Sequence, residues 1–398
     1  VRPAGGAGRA LGRWIRREPS PSGGPRLVPI LFGVVLIDLI GFGIVIPILP
    51  FLSPQLGADK IDIALIIATY AACAGLFGPF WGRLSDRRGR KPVIMICLAG
   101  GAFSYVMLGL ATELWMVFAA RGFAGVMAGN FGVASAMMAD VTSAENRAKG
   151  MGLIGAAFGL GMVLGPLLGG LLAGDSGSFT LPCIFAGLTS VLAIIAAAVF
   201  LPESLSPERR EANRAHQQSG DGVSTVSLLE ESRSRLFVFQ YLLHTASVSS
   251  ATYLFPLWVA DVLGWTAREV GIVFAIQGMI VVAVQGGAIG ALVRLLGEWR
   301  LLRIAIFAFL AGLLLAVFAW NMPSMVASMF LSMTGATLCM PLLNTLITHR
   351  TPAKYRGRVM GTTAAASSWG RVFGPTLTGF NLAWFGYSAA WAACALLV

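Results

Sequence analysis

Four ionisable side chains, leaving tyrosines and cysteines aside, lie inside long apolar stretches of this chain: Asp38, Arg121, His244 and Arg371. A charge surrounded by hydrocarbon costs at least a few kcal/mol, so such residues normally face a cavity or a partner. Asp38 lies about ten residues into its stretch, roughly 15 Å deep and near the middle of a bilayer. Arg121 lies about seven residues into another stretch, entered from the opposite side, so the two can share a depth. Burial disfavours an ionised carboxylate and a nearby guanidinium favours it. A motion that changes either balance makes Asp38 a proton carrier with Arg121 as its modulator; the plainer alternative is a static pair that stabilises the fold. His244 can titrate, although a lone histidine on an apolar helix is more often a core residue. Arg371 suits an anionic group or a backbone carbonyl, and the residues leave that choice open. Asn130, Tyr241, Gln277, Gln285, Asn344 and Trp369, together with His244 and Arg371, are candidates for the few polar contacts of a mostly apolar substrate cavity.

The elements that position these residues must be membrane helices. Of 398 residues, 56% are apolar and 12% charged, with a mean hydropathy of +0.77, where a soluble domain carries about 25% charged residues. Collagenous, disordered and disulfide-stapled classes are excluded. The five cysteines lie in apolar runs without the Cys/His spacing of a zinc or haem site, so no metal and no cofactor is expected. Apolar runs near 28–49, 62–82, 93–112, 114–139, 149–174 and 180–201, then 236–260, 269–293, 301–320, 322–347, 358–383 and 386–398, predict an all-α integral membrane protein of twelve spans. The last is expected to be truncated, since its dozen residues reach only about 18 Å.

The net charge of +11 might suggest nucleic acid, but the placement of the 29 basic residues points elsewhere. With both termini cytoplasmic, 25 of the 29 fall in inner segments, only Lys60 and Arg268 fall outside, and Arg121 and Arg371 lie within spans. That asymmetry fixes orientation by the positive-inside rule, so the charge is a topology signal and no nucleic-acid partner is expected. The expected organisation is a basic cytoplasmic tail at 1–26 with no cleaved signal peptide, a six-helix bundle at 27–201, a polar cytoplasmic linker at 202–234 and a second bundle at 235–398.

An internal repeat relates the two bundles. Residues 147–170 and 356–379 share eleven identities over 24 positions without a gap, among them Gly161/Gly370, Gly165/Gly374 and Pro166/Pro375. A weaker echo pairs Gly78, Gly82, Leu84 and Gly89 with Gly286, Gly290, Leu292 and Gly297. Two equivalent bundles with a site between them can rock to open alternately on each side.

Several motifs carry a family resemblance. The loop Gly82-Arg83-Leu84-Ser85-Asp86-Arg87-Arg88-Gly89-Arg90-Lys91-Pro92 resembles the signature loop of the major facilitator superfamily. Arg121-x-x-x-Gly125 in the fourth span is similar to that superfamily's second motif, with Ala124 where a polar residue is usual. Gly161-x-x-x-Gly165-Pro166-x-x-Gly169-Gly170 in the fifth span is similar to the motif of its proton-coupled antiporters. Asp38-x-x-Gly41-x-Gly43-x-x-x-Pro47-x-x-Pro50 and Pro202-Glu203-Ser204 add to it. The resemblance covers nearly the whole chain and implies the major facilitator fold of two pseudo-symmetric six-helix bundles, near the tetracycline-efflux group of drug:proton antiporters. It also implies a conformational latch of Gly82, Asp86, Arg87, Gly89, Arg90 and Asp140, with Asp86 against the start of the eleventh span and Arg90 reaching Asp140.

Physical reasons stand beside the resemblance. Glycines at i and i+4 lay bare backbone along one face of the fifth span and Pro166 bends it, with the eighth span the expected partner. Asp86 sits among Arg83, Arg87, Arg88, Arg90 and Lys91, where an acid is favoured. The tetracycline group has membrane carboxylates in the third and ninth spans and a histidine in the eighth. Here 93–112 and 301–320 hold no acid and 269–293 no His, so tetracycline is not the expected cargo.

None of Lys60, Lys91, Lys149 and Lys354 follows a glycine, which excludes a phosphate-binding loop and an ATP-driven pump. Three scattered histidines without Gly-x-Ser-x-Gly supply no catalytic cluster, so no enzyme is expected. The function expected is a proton-coupled antiporter exporting an amphipathic small organic molecule or drug by alternating access. The alternatives are a proton-coupled symporter for a sugar or metabolite, and a receptor or scaffold without transport. Small-molecule substrate, protons and the lipid bilayer are the expected partners of a monomer in the plasma (inner) membrane.

Overall fold

The computed structural model describes residues 27–143, 146–174, 179–211, 232–350 and 356–398. The tail at 1–26 and most of the linker lie outside the described residues, as do 351–355. Among the described residues the regular elements are all helical: α1 Leu27–Gln55, α2 Lys60–Arg88, α3 Arg90–Gly109, α4 Leu114–Val126, α5 Asn130–Val141, α6 Arg147–Ala173, α7 Thr180–Phe200, α8 Ser232–Leu263, α9 Ala267–Ala283, α10 Ile289–Leu296, α11 Glu298–Val317, α12 Met322–Arg350 and α13 Arg356–Leu396. In lipid, backbone groups must be satisfied within the segment, which is why apolar stretches of this length become helices.

Nine of the described spans are long and apolar enough to cross a hydrocarbon core. Two of the expected spans, the fourth and the eighth, are interrupted. The eighth is α9 and α10 joined through a π-helical stretch, Val284–Ala288. The eleventh and twelfth form α13, broken at Gly386, whose φ of 79° ends one helix and starts the next. The fourth span divides into α4 and α5 around Met127–Gly129.

Helix ends echo the repeat. Asp59 caps α2 in a reciprocal box with Asp62, and Thr266 caps α9 in the same way with Glu269. Each box follows a positive-φ glycine by two residues, Gly57 and Gly264. The corner between α2 and α3 is made by Gly89 (φ 111°, ψ 158°) and that between α10 and α11 by Gly297 (φ 75°, ψ 158°). Both backbones lie where a side chain is strained, so a glycine turns the chain at equivalent points.

Helix α6 is sandwiched between α1 and α9. A methyl at Gly161 would lie 2.6 Å from Leu39 Cβ, one at Gly165 would lie 2.8 Å from the Ile40 carbonyl oxygen, and one at Gly169 would lie 2.5 Å from the Ile44 carbonyl oxygen. A methyl at Gly170 would lie 2.6 Å from the Ala267 carbonyl oxygen, and one at Gly278 would lie 3.1 Å from Val163 Cα. The expected packing on the eighth span is met, where Val163, Pro166 and Gly170 face Ala267, Gly271 and Gly278 of α9, and a second partner joins it: Gly161, Gly165 and Gly169 press on α1. At roughly 100° per residue the two sets lie about 130° apart on α6. Backbone against backbone leaves no side chain free to yield, so both contacts are rigid.

A large apolar cluster joins the first six spans to the rest at the end opposite the basic loop. Ile63 and Ala64 of α2 pack with Tyr253, Phe255, Phe309 and Trp391.

Exchanging Gly165 for Ala should sharply reduce the yield of monodisperse protein and lower its Tm, by overpacking of about 1–3 kcal/mol or more. Gly155 lies on the same helix, but a methyl there would meet nothing within 4 Å, so it should accept Ala without loss. Fluorescence-detected gel filtration with thermal melts of the two variants makes the comparison.

Candidate functional site

Asp38 projects from α1 towards the break between α4 and α5. The break is held by Trp81, whose indole N–H donates to the Val126 carbonyl oxygen at 2.5 Å and satisfies a backbone acceptor that the end of α4 would leave orphaned. A methyl at Gly129 would lie 2.6 Å from Trp81 Cβ, so only glycine lets the chain pass there. The restarted helix presents Asn130 at its first position. Asn130 Nδ2 donates to Asp38 Oδ2, while its Oδ1 accepts the Phe131 N–H at 3.0 Å. The carboxylate thus sits by a helix N-terminus, where backbone dipoles favour negative charge. Asp38 is part-exposed and lines a small cavity with Leu31, Val34, Ile94, Asn130 and Phe131.

Arg121 does not form an ion pair with Asp38 among the described contacts. Its guanidinium lies 4.4 Å from the centre of the Tyr70 ring, an arrangement worth about 2 kcal/mol when desolvated. Close packing of α4 on α2 sets this geometry, since a methyl at Gly125 would lie 2.7 Å from Cys73 Cβ. Arg121 is 6% exposed and its Nε has no hydrogen-bond partner. The Tyr70 ring pairs with Phe42 at 5.5 Å. From α13, Arg371 donates to Ser367 Oγ at 3.0 Å and to Ser368 Oγ at 3.2 Å. Asp38 pairs with Asn130 and Arg121 with Tyr70, while Phe42, one turn beyond Asp38 on α1, brings the Tyr70 ring beside that helix.

The other cavity candidates lie elsewhere. Tyr241 donates to Asn344 Oδ1 within the second group of spans. His244 is buried, with Nε2 unpartnered and its ring 5.5 Å from that of Phe309. Gln277 is buried with neither amide atom bonded. Gln285 is exposed and its amide reaches the Thr337 carbonyl at 3.5 Å. Trp369 stacks on Phe373 at 5.7 Å, about 160° around α13 from Arg371.

At the basic end, Arg90 is the hub. It bonds Asp86 at 2.7 Å, Asp140 at 3.0 Å and Ser85 Oγ at 2.7 Å. Gly82 gives its carbonyl to Ser85 Oγ at 2.8 Å, and Arg87 is exposed. At the start of the eleventh span, which Asp86 was expected to meet, the side chains of 356–358 and 360 lie outside the described residues. Pro202-Glu203-Ser204 had no role assignable from sequence. Glu203 accepts the backbone N–H groups of Arg90 at 2.9 Å and Lys91 at 3.2 Å, the first amides of α3, and pairs with Arg210 at 3.7 Å. A helix N-terminus attracts an anion in this way. The acid after a span was the signal; its partner lies more than a hundred residues upstream.

At the opposite end lies a second network that no sequence motif announced. Lys60 Nζ meets Asp261 at 2.7 Å and lies 4.8 Å from the Tyr387 ring centre. Tyr387 donates to Asp261 at 2.7 Å and Tyr253 donates to the Lys60 carbonyl at 2.6 Å. These contacts tie α2 to α8 and α13 and close that end.

Comparison with known proteins fits this geometry. The profile of the Major Facilitator Superfamily matches residues 31–375. The chain is 29% identical over 351 residues to a class D tetracycline resistance protein of Salmonella ordonez, covering 87% of each. It is 27% identical over 361 residues to multidrug resistance protein 2 of Bacillus subtilis (strain 168), covering 88% of this chain and 87% of that one. Among solved structures, the human organic anion transporter MFSD10 (TETRAN) superposes with a TM-score of 0.71 at 24% identity, over 94% of this chain and 97% of that one.

Replacing Glu203 by Ala should speed amide hydrogen exchange at Arg90 and Lys91 at least about tenfold, since a hydrogen bond to a charged group contributes roughly 1.5–3 kcal/mol. Glu208→Gln, at a fully exposed position nearby, should leave those amides unchanged. Mass-spectrometric exchange in nanodiscs reads both.

Proposed function

We infer the mechanism from one premise: this chain belongs to the Major Facilitator Superfamily, a family of membrane transporters and not of enzymes. It is a multi-pass membrane transporter. We propose further that it is a proton-coupled antiporter that exports an amphipathic organic compound from the cytoplasm by alternating access, with the basic end cytoplasmic and the protein acting as a monomer in the plasma membrane.

The observation that carries this reading is Asp38, the one carboxylate deep within a described apolar span. Asn130 donates to it, and it lines a small cavity with Leu31, Val34, Ile94 and Phe131. The coupling step is a slide of α1 along the glycine face of α6, which changes the space between α1 and the α4/α5 break. Moving Asp38 from Asn130 and the α5 N-terminus towards hydrocarbon removes two stabilising influences on its charge, so it takes up a proton; the reverse motion releases it. The Lys60–Asp261–Tyr387 network is the closure that must part for the outer side to open, and the Arg90 hub with Glu203 is the cytoplasmic counterpart.

The drug-resistance names of the relatives favour export of an organic compound. Tetracycline itself is not proposed, for want of acids within 93–112 and 301–320. One observation favours a second reading, proton and cargo moving together: two arginines against one acid leave the centre positive, where protonation of Asp38 and arrival of an anion reinforce each other.

In liposomes with an imposed pH gradient, substrate addition should release lumenal protons opposite to drug movement. Parallel movement establishes the second reading, and no flux with any compound rejects transport coupling altogether. Asp38→Asn should reduce coupled flux to background with an unchanged melting profile; wild-type flux in that variant removes Asp38 from the mechanism.

A further inference from the structure

Two guanidinium groups lie along α2 from the two groups of spans, Arg121 over Tyr70 and Arg371 through Ser368 beside Gly75, and no ion pair to a carboxylate involves either among the described residues. Arg121 comes from α4 and lies over the ring, 6% exposed and with Nε unsatisfied. Arg371 comes from α13, its described hydrogen bonds going to the hydroxyls of Ser367 and Ser368. Ser368 lies at the seam between the two groups of spans, since a methyl at Gly75 of α2 would sit 3.2 Å from its Cβ. Both Tyr70 and its ring partner Phe42 are part-exposed, and Tyr70 shares α2 with Gly75. The neighbouring acid, Asp38, is engaged by Asn130. Guanidinium groups without counter-charge in a low-dielectric medium are costly, and a planar donor fork matches a carboxylate or sulfonate better than any neutral group.

We infer that the seam between the bundles binds an amphipathic organic anion, an aromatic body ending in a carboxylate or sulfonate, with Arg371 as the direct contact and Arg121 supplying positive charge behind Tyr70. The aromatic body lies on Phe42 and Tyr70 while the acidic group turns to Arg371. A cationic compound of the same shape meets two like charges and is rejected. The inference rests on the transport reading only for taking this seam as the cargo site.

The test is calorimetric binding to the whole chain in phosphatidylcholine nanodiscs, with no pH gradient and no anionic lipid to compete. Three isosteric probes are compared: naphthalene-2-sulfonate, 2-naphthylmethanol and 2-naphthylmethylammonium. The sulfonate should bind at least about tenfold more tightly than either of the others, a gap of about 1.4 kcal/mol. Arg371→Gln should erase that preference while leaving naphthylmethanol affinity unchanged, and Arg371→Lys should keep part of it. Arg121→Gln should weaken the sulfonate too, with melts run alongside because the site is buried; Arg371 is exposed and decides the matter by itself. Absent sulfonate binding, equal affinity for the three, a preference for the ammonium, or an unaltered Arg371→Gln overturns the inference. Tight sulfonate binding without proton exchange in liposomes would overturn the coupling and not this site.

Discussion

A bilayer interior cannot solvate charge, and the placement of every ionisable group in this molecule answers to that constraint. Of the 29 basic residues, only Arg121 and Arg371 fall well inside the apolar spans. The few charges that remain at depth are held by specific neighbours: Asp38 by Asn130 at a restarted helix, Arg121 by the face of Tyr70, Arg371 by two serine hydroxyls. None of these partners carries a compensating full charge. The groups stay responsive to water, protons and cargo in a way that a tight Asp–Arg pair would not.

Mechanical coupling comes from bare backbone. Because α6 offers one glycine face to α1 and another to α9, the helix bearing Asp38 is bound through two side-chain-free contacts to a helix beyond the linker. Side-chain packing can deform by rotamer changes, whereas backbone contacts at this distance can only slide or separate as units. The polar networks at the two ends differ in kind. The Arg90 hub with Glu203 ties together helix ends within the first six spans, and the Lys60–Asp261 network ties α2 to α8 and α13. An exposed ion pair of the second sort contributes little free energy, about 0–1 kcal/mol, so the apolar cluster beneath it holds that end together more strongly than the network does.

Much of the architecture was legible from local pattern. Span length and hydropathy are properties of consecutive residues, so the all-helical membrane fold followed directly, and the repeat of 147–170 in 356–379 announced two related bundles. The interruptions were less legible. The Val284–Ala288 stretch and the Met127–Gly129 break lie in apolar runs where hydropathy alone reads continuous helix, whereas the break at Gly386 falls at the expected boundary between the last two spans. The capping boxes at Asp59 and Thr266 were present as motifs but hidden, because their residues differ while their geometry repeats.

For the site, the sequence by itself determined which charges enter the membrane and roughly how deep, because depth is counted along one helix. It also determined that α6 must approach its neighbours closely, since glycine spacing sets what a helix face presents. Only the tertiary structure decided who those neighbours are: Asn130, 92 residues from Asp38; Tyr70 beneath Arg121; Glu203, 113 residues from the amide of Arg90; α1 and α9 on opposite flanks of α6. A periodic pattern specifies the face a helix shows, and the identity of what meets that face is settled by how all the helices pack at once.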